Sequence, residues 1–457
     1  MFICVIGDVM IDINYTSIVN RKAPEADIPI YNISDTNYIL GGASNVAYNL
    51  KKLGSDVEII TVTGDDLYGN IIKNMLNEKN IKYKIFTDKN RKTTQKNRIY
   101  LNNKIHVRYD IETIDDILES HERNIFEYIL NKQNIDAIII SDYDKGIVTE
   151  NLSKNIIEYA NKKNIPTFID PKIKNYNKYK NCFLIKPNQM EAEIISNEKD
   201  IDKILNIIKA KIECKNILLT LGKEGMILNN IYNKINHESF INLVDVTGAG
   251  DIVLSVLVYI YLKDKDLLKA AKISNYIGGK SVSVIGNYTI NLDDINEYYE
   301  IENKKINSKI IYDYEIDKII NLSSKSSNIV FTNGCFDILH SAHIELLQFS
   351  KNQGDILVVG LNSDESIKRL KGETRPINDI YERSKILSLF DFIDHIIIFN
   401  DDTPLNIIKA LKPNILIKGS DYKKENIVGK EYVKNIILFD FIKNKSSTHV
   451  INKIKNL

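Results

Sequence analysis

Residues 135–143, with the sequence IDAIIISDY, form a strand-length apolar run that ends in Ser141, Asp142 and Tyr143. The pattern recurs along the chain: short apolar runs end in Gly, Asp, Asn or Pro, and the segments between them are long enough for helices. This alternation predicts repeated βαβ units and a mainly parallel sheet. Ligands of such sheets bind at the carboxyl ends of strands, so the residues after each run are the first candidates for a site. Further runs of this kind are VEIITVTG (57–64), IPTFID (165–170), CFLIKPN (182–188) and NILLTLG (216–222).

The composition limits the class of protein. The chain has 61 Lys and Arg against 60 Asp and Glu, a formal charge of +1, which argues against a nucleic-acid-binding or membrane-coating surface. Its four cysteines are scattered without a CxxC pair, as in a reduced cytosolic protein. The apolar start, MFICVIGDVMIDI, contains Asp8 and Asp12 and lacks a basic region, so it predicts a first strand rather than a signal peptide. We expect a soluble, cytoplasmic protein without a nucleic-acid or membrane partner.

The length of 457 residues predicts two domains. The strand rhythm stops near residue 295, where a charged stretch begins that closes in a Ser-rich segment, and it restarts at IVFTNG (329–334). We predict a first α/β domain over residues 1–300, a linker over 301–327 and a second α/β domain over 328–457.

The stretch DVTGAGDIV, residues 245–253, is the strongest motif of the first domain. Its small residues form a turn before an apolar helical pattern, so backbone N–H groups would point outward at a helix N-terminus and bind an anion. Asp251 would repel that anion unless it had a task, and the task that fits is a general base that takes a proton from an attacking hydroxyl. A glycine-rich turn with an aspartate favouring the helix dipole is the alternative interpretation.

Three further motifs follow predicted strands or begin predicted helices. LGGASNVAYNL (40–50) places glycines before Asn45, KPNQMEAE (186–193) spaces Asn188 and Glu191 as for positioning magnesium waters, and TLGKEGM (220–226) supplies small residues after a strand. Each also has an ordinary structural interpretation, such as a helix start or a cap. Two familiar phosphate motifs are excluded: YIGGKSV (276–282) lacks the first glycine of a Walker loop, and TGAGDIV lacks the third glycine of a dinucleotide fingerprint.

Together and in this order, these motifs resemble the ribokinase or PfkB family of sugar kinases over residues 1 to 300. The resemblance implies an α/β sandwich with a small β lid that transfers the γ-phosphate of ATP to a sugar hydroxyl. It makes Asp251 the base and places Glu191 near magnesium through water. The residues that it assigns to the sugar are Asp12, Gly42 and Asn45, and those that it assigns to the nucleotide are Asn188, Glu191, Thr220, Gly222, Gly225, Gly248, Ala249 and Gly250.

The motifs SDYDKG (141–146) and DPK (170–172) are similar to the branch of this family that acts on heptose phosphate. Arg108 and Lys172 are candidates for binding a substrate phosphate, and each is equally compatible with a solvated surface cation. The resemblance further implies a monovalent cation near Asp245 and Thr247, and a homodimer formed through the kinase lid.

The second domain contains NGCFDILHSAHIELL, residues 333–347, which predicts a strand, a tight turn and a helix that begins near Ile338. His340 and His343 would then lie on one helical face near its positive end. A zinc site lacks further ligands, apart from a doubtful Cys335. Structural histidines are another interpretation. A third is a nucleotide triphosphate, with both imidazoles donating hydrogen bonds to charge that develops at the α-phosphate.

Basic and small residues near the carboxyl ends of later strands favour the nucleotide interpretation. NSDESIKRLKGETRPI (362–377) concentrates cations, IKGSDY (417–422) contributes Lys418, and SSTHVI (446–451) places hydroxyls at a predicted helix start, where capping is the alternative. The candidate nucleotide-binding residues are Arg369, Lys371, Arg375, Lys418, Ser447 and Thr448.

This set resembles the cytidylyltransferase-like nucleotidyltransferases, marked by an HxGH pair and a C-terminal STS/T motif, and implies a Rossmann-like domain. RLKGETRPI (369–377) and DDTPLNIIKALKP (401–413) are close to the branch that adenylylates heptose 1-phosphate. One departure is Ala342, where the family motif has glycine; a methyl group there is expected either to be tolerated or to weaken nucleotide binding.

The whole chain therefore resembles the bifunctional heptose 7-phosphate kinases and heptose 1-phosphate adenylyltransferases, which serve the ADP-heptose route to the lipopolysaccharide core. That resemblance implies heptose phosphates and ATP as substrates, Mg²⁺ as cofactor, and a separate 7-phosphatase between the two steps. The alternatives are the same two chemistries on another phosphosugar or nucleotide, or a kinase with an inactive C-terminal binding or dimerisation domain.

Overall fold

The structure of the chain is a computed structural model. It describes residues 1–172, 174–229, 234–235, 248–283, 288–322, 327–420 and 422–440. The chain forms two compact units, Met1–Tyr298 and Tyr299–Leu457. Both are α/β, as the alternating sequence pattern predicts.

A nine-stranded sheet organises the first unit, in the order β13-β12-β11-β10-β9-β8-β1-β4-β5. All pairings from β11 to β5 are parallel, and β12 and β13 add an antiparallel edge. The strand order reverses between β1 and β8, so ligands are expected at the carboxyl ends of these two strands. The strands of the unit are β1 (Phe2–Gly7), β2 (Val9–Lys22), β3 (Pro29–Gly42), β4 (Asp56–Gly64), β5 (Lys82–Asp88), β6 (Thr94–Leu101), β7 (Lys104–Ile111), β8 (Ala137–Ser141), β9 (Thr167–Asp170), β10 (Leu184–Ile185), β11 (Asn216–Thr220), β12 (Met226–Leu228) and β13 (Lys234–Ile235).

Amphipathic helices cover this sheet. Their apolar faces pack against strands that are buried nearly throughout, since β8 and β1 expose at most about one residue each. Several of these helices begin at a residue whose side chain accepts a hydrogen bond from a backbone N–H group of the first turn. These N-cap residues include Asp66, Thr149, Asn188 and Asp200. The helices are α1 (Ala43–Lys52), α2 (Leu67–Glu78), α3 (Glu119–Leu130), α4 (Glu150–Lys162), α5 (Gln189–Ser196), α6 (Ile201–Ile212), α7 (Ala249–Asp264), α8 (Leu267–Ser281) and α9 (Leu292–Ser308).

The remaining four strands of the first unit form a separate sheet in the order β3-β2-β6-β7, hereafter the lid. β2 pairs with β3 and β6 with β7 as antiparallel hairpins, and β2 and β6 join them in parallel. This is the small β lid that the family resemblance predicts.

The second unit contains a six-stranded sheet in the order β14-β17-β16-β15-β18-β19, parallel throughout. Its order reverses at β15, between β16 and β18, which makes the carboxyl ends of β15 and β18 the expected ligand site. The elements are β14 (Ile310–Tyr312), α10 (Asp317–Leu322), β15 (Ile329–Gly334), α11 (Ser341–Lys351), β16 (Ile356–Asn362), α12 (Asp364–Lys371), α13 (Ile380–Ser388), β17 (His395–Phe399), α14 (Leu405–Leu411), β18 (Ile415–Gly419) and β19 (Asn435–Phe439).

The segment 301–327, for which the sequence predicts a linker, contains the end of α9, strand β14 and helix α10. β14 pairs with β17, and Ile311, Ile316 and Ile319 are buried in the core of the second unit. The described part of the segment is therefore packed, and it belongs to the second unit. Among the described residues, no helix combines the length and apolar character needed to cross a membrane.

Candidate active sites

Asp251 lies in the first turn of α7 and is buried, with 4% of its surface exposed. The Tyr143 hydroxyl donates to Asp251 Oδ1 at 2.6 Å, and Asn45 Nδ2 donates to Oδ2 at 2.8 Å. Gly248 caps α7 with φ of +76°, and a β-carbon there would come within 3.0 Å of Asn45 Nδ2. Glycine thus permits both the backbone turn and the close approach of Asn45. The carboxylate is held in one orientation by two donors, one on each oxygen.

Burial and, to a smaller extent, the nearby carboxylate of Asp170 raise the pKa of Asp251 to about 6. The hydrogen bonds from Tyr143 and Asn45 and the charge of Lys186 act in the opposite direction. A carboxylate with a pKa near 6 is ionised at neutral pH but is a stronger base than an exposed aspartate, which suits proton abstraction from a hydroxyl. Burial and Asp251 also raise the pKa of Tyr143 well above its usual value, so Tyr143 keeps its proton and remains a donor.

A cavity of about 690 Å³ opens beside the N-terminus of α7. Its wall is assembled from residues that follow β9, β10 and β11, together with the first turn of α7 and part of α8. Most of the residues predicted to bind nucleotide line it: Asn188, Glu191, Thr220, Gly222, Gly225, Ala249 and Gly250. Gly248 does not line the cavity, and its lack of a side chain leaves room for Asn45 beside the helix cap.

Asn188 and Glu191 form a reciprocal capping box at the start of α5, as their structural interpretation requires. Glu191 Oε1 also accepts from Lys172 Nζ at 2.8 Å, and Lys172, predicted to bind a substrate phosphate, lies on the wall of the same cavity. Among the residues that the structure describes, no group of three or more His, Cys, Asp or Glu is placed to hold a metal ion. Since both Glu191 oxygens already accept hydrogen bonds, a contact to magnesium through water suits this carboxylate better than direct ligation.

Lys186 was not singled out from the sequence, although it occupies the first position of the KPN motif after β10. Its ammonium group is buried, pairs with Asp170 Oδ1 at 2.9 Å, and lies 3.5 Å from where a β-carbon on Gly250 would be. It thus brings a positive charge to the N-terminus of α7. A lysine directly after a buried strand, in a chain with parallel strands, was the available signal.

The predicted sugar-facing residues lie where the lid joins the large sheet. Gly42 has φ of +61° and precedes α1, which positions Asn45, and a β-carbon on Gly42 would come within 2.4 Å of the Asp8 carbonyl oxygen. Asp12 is buried and pairs with Arg98 at 2.5 Å. Arg108, on the lid, binds Asp110 through two hydrogen bonds of 3.0 and 2.7 Å.

In the second unit, His340 and His343 flank the start of α11, downstream of the carboxyl end of β15. The helix begins at Ser341 rather than near Ile338, because residues 335–339 form a loop in which Phe336 has φ of +45°. His340 is the N-cap residue, and its ring stacks on that of His343 with centroids 3.8 Å apart. Burial, His340 and Lys371 lower the pKa of His343 to about 4, so its imidazole is neutral at pH 7.

The predicted basic residues of this unit have different partners. Arg375 pairs with the buried Asp337 at 2.6 Å, which fixes the loop before the histidines. Lys418, at the end of β18, donates to Asn333 of β15 and so bridges the point where the strand order reverses. Lys371 is exposed and close enough to influence His343, whereas Arg369 is engaged by Asp402 at 2.7 Å and by the carbonyl of Asn400.

Arg383 of α13 organises the loops around this site and was missed in the sequence. Its side chain is fully buried and pairs with Asp364 at 2.6 Å. It also donates to the carbonyl oxygens of Cys335, Asn362 and Asn378 at 2.8 to 3.0 Å. An arginine inside a helix gives no sequence signal of such a role. Ser447, Thr448, Asp245 and Thr247, also predicted to bind nucleotide or a cation, lie outside the described residues.

Comparison with known proteins defines the class. The pfkB family carbohydrate kinase model matches residues 1–294, and the cytidylyltransferase-like model matches residues 331–451. The tetrameric inhibited form of phosphofructokinase-2 from Escherichia coli aligns with 65% of this chain and 98% of its own, with a TM-score of 0.54 at 18% identity. Ribokinase from Giardia lamblia aligns with 65% and 99%, with a TM-score of 0.52 at 16% identity. The chain is a carbohydrate kinase joined to a nucleotidyltransferase.

The curated relatives cover both parts. The bifunctional protein HldE of Campylobacter jejuni subsp. jejuni serotype O:2 is 39% identical over 461 residues, which span 99% of this chain and 97% of the relative. HldE of Aliarcobacter butzleri is 37% identical over 99% and 97%, and that of Nitratiruptor sp. 37% over 99% and 99%. The chain belongs to the HldE family of bifunctional proteins.

Proposed function

We propose that the first unit transfers the γ-phosphoryl group of ATP to O1 of D-glycero-D-manno-heptose 7-phosphate, and that the second unit transfers an adenylyl group from ATP to heptose 1-phosphate. The products are the 1,7-bisphosphate from the first reaction, and ADP-heptose and pyrophosphate from the second. The observation that carries the first assignment is the buried Asp251, which is held by Tyr143 and Asn45 and directly follows Gly250 on the wall of the cavity.

In the kinase reaction, Asp251 takes the proton of the attacking sugar hydroxyl. The N–H groups of Ala249 and Gly250 and the ammonium of Lys186 stabilise negative charge on the transferred phosphoryl group. Asn188, Glu191 and the glycines near Thr220 position the nucleotide. Magnesium, when bound, neutralises phosphate charge, and Glu191 would hold it through water.

In the adenylyl transfer, the sugar phosphate attacks the α-phosphorus in line and pyrophosphate leaves. His340 and His343 donate hydrogen bonds to the charge that develops, and positioning carries the rest of the step, so no covalent intermediate is needed. Because His343 is neutral at pH 7, it acts as a hydrogen-bond donor rather than as a cation before ATP binds. Lys371, Arg375, Lys418, Ser447 and Thr448 are assigned to the departing phosphates.

The product of the first reaction carries a 7-phosphate that the second substrate lacks, so a separate 7-phosphatase must act between the two reactions.

We also propose a homodimer formed through the lid. In support, the lid strands expose large apolar side chains, between 40% and 56% accessible: Ile18, Ile33, Tyr38, Ile105 and Tyr109.

Product analysis tests both activities. The purified chain is incubated with heptose 7-phosphate, ATP and magnesium, and half of the sample then receives a 7-phosphatase. Mass spectrometry should find bisphosphate in the first half and ADP-heptose in the second. Bisphosphate without ADP-heptose would support the kinase assignment and refute the adenylyltransferase assignment. The absence of both products would refute the choice of sugar.

A further inference from the structure

The charged side chains on one face of the lid are almost fully paired with each other. In the strand register, Asp12 of β2 lies beside Lys96 of β6. On the other side of β6, Lys96 lies beside Asp110 of β7, and Arg98 lies beside Arg108. Arg98 is paired with Asp12, and Arg108 with Asp110. Three cations, Lys96, Arg98 and Arg108, therefore share this face with two carboxylates. Each carboxylate already forms an ion pair with an arginine.

Lys96 is the cation left over. It makes no hydrogen bond or ion pair within the described parts of the chain, and its ammonium nitrogen lies 5.2 Å from the ring centroid of Tyr143. Its side chain is partly buried, and this burial lowers its pKa, while the charges of Asp12 and Asp110 counteract the effect. Because an unpaired and partly desolvated ammonium is unfavourable, an anionic ligand at this position would bind without displacing a protein partner.

The ring of Tyr143 relates Lys96 to the base. The hydroxyl of the ring bonds to Asp251 at 2.6 Å, and the Lys96 ammonium faces the same ring. A sugar that lies across Tyr143 with its reacting hydroxyl at Asp251 would direct its far end toward Lys96. Lys172 Nζ also lies over this ring, 5.7 Å from its centroid, but Lys172 is already paired with Glu191 at 2.8 Å on the wall of the cavity.

We propose that Lys96 binds the phosphate that the sugar substrate already carries, and that it makes the kinase select phosphorylated sugars over their unphosphorylated counterparts. The inference rests on the proposed function and adds to it the residue that reads the substrate phosphate. Lys96 is then a specificity residue of the kinase site, and the paired Arg108 has a supporting part.

The test compares Lys96→Met and Lys96→Arg with the unchanged chain, and uses Lys104→Gln as a control that removes an exposed lysine from the same lid. Initial rates are measured with heptose 7-phosphate and with heptose, and the KM for ATP is measured separately. Losing one charge-assisted hydrogen bond should lower kcat/KM for the phosphorylated sugar about 10- to 100-fold. The kcat/KM for heptose and the KM for ATP should change less than about twofold, Lys96→Arg should recover part of the loss, and Lys104→Gln should behave as the unchanged chain.

Two results would overturn the inference: equal losses in Lys96→Met on both sugars, or a loss that appears in the KM for ATP. Thermal melting of each variant separates these results from misfolding.

If the unchanged chain does not use heptose 7-phosphate, the proposed function fails. The same comparison is then made with fructose 6-phosphate against fructose and with ribose 5-phosphate against ribose. Loss of a preference for the phosphorylated member in Lys96→Met then supports the role of Lys96, whereas absence of any preference in the unchanged chain refutes it. If no pair is turned over, the midpoint of melting is followed against inorganic phosphate. Stabilisation that Lys96→Met abolishes and Lys104→Gln keeps supports the inference, and equal curves refute it.

Discussion

Replacing Tyr143 by Phe removes one donor from the base and leaves the aromatic ring in place. The Tyr143 hydroxyl is 2.6 Å from Asp251 Oδ1, and this hydrogen bond lowers the carboxyl pKa, which nevertheless stands at about 6. The other groups that act on the carboxylate are Asp170, Lys186 and Asn45, and the substitution does not touch them. The variant should therefore have a higher Asp251 pKa and an unchanged anion site.

The size of the effect follows from the strength of the hydrogen bond. A bond to a charged group contributes about 1.5–3 kcal/mol, which corresponds to about one to two pKa units. The Asp251 pKa should thus rise from about 6 to about 7–8. At pH 6.5 about three quarters of the base is ionised in the unchanged chain, but only about a quarter to a thirtieth in the variant. The kinase kcat/KM should fall about 3- to 25-fold at pH 6.5 and approach the unchanged value at pH 9.

The assay is the pH dependence of kinase kcat/KM between pH 5 and 9.5, with ADP release as the readout. In the unchanged chain the rate should fall about tenfold per pH unit below pH 6. A variant that is slower by the same factor at every pH would show that Tyr143 positions the substrate or the fold rather than the base. A variant with an unchanged profile would refute the assigned hydrogen bond altogether.

Four further predictions concern stability and the second site. Burial makes ionised Asp251 unfavourable in the folded chain, and this loss of stability is absent below the usual pKa of 3.8 and complete above about 6. Asp251→Asn should therefore abolish phosphorylation yet stabilise the first unit by about 2–3 kcal/mol at pH 7.5. A melting midpoint at or below that of the unchanged chain would contradict this expectation. His343→Ala should lower adenylyl transfer about 100-fold or more while kinase rates stay unchanged, and parallel loss of both activities in a folded variant would refute independent sites. Arg383→Met should destabilise the second unit by about 3–5 kcal/mol in denaturant unfolding, since it leaves the Asp364 carboxylate without its buried partner, and a change below about 1 kcal/mol would contradict that role. Ala342→Gly should not improve the KM for the nucleotide, because the Ala342 side chain is fully buried and leaves no exposed surface that a ligand would meet. A severalfold lower KM would show that the methyl group obstructs binding.

The fold was readable from the sequence because its signals are local. Strand-length runs such as IDAIIISDY became buried strands, and the glycines of GAGD became the cap and first turn of α7. The motifs predicted to bind nucleotide surround one cavity because the carboxyl ends of parallel strands meet at one edge. The branch of sugar kinase was indicated by resemblance rather than by any of these patterns.

The residues that the sequence did not reveal act over long separations. Tyr143 and Asp251 are 108 positions apart, and nothing near either residue indicates the bond between them. The unpaired state of Lys96 depends on the register of β2, β6 and β7, which shows that Asp12 and Asp110 are already occupied. The sequence around Arg383 predicts only a helix, although its side chain donates hydrogen bonds to backbone carbonyl oxygens up to 48 positions away. Such roles depend on which partners remain free after folding, and only tertiary contacts determine that.

The two sites use burial with opposite results, and pH should separate their activities. In the kinase site burial raises the pKa of a carboxyl group, so Asp251 loses its function as a base when pH falls through about 6. In the second site burial lowers the pKa of an imidazole, so His343 stays neutral until pH falls to about 4. Between these values Asp251 is largely protonated, whereas His343 keeps the protonation state that it has at pH 7. Adenylyl transfer, measured per molecule at pH 5 and pH 7.5, should therefore retain a larger share of its rate than phosphorylation does, and Tyr143→Phe should widen the difference by lowering only the kinase.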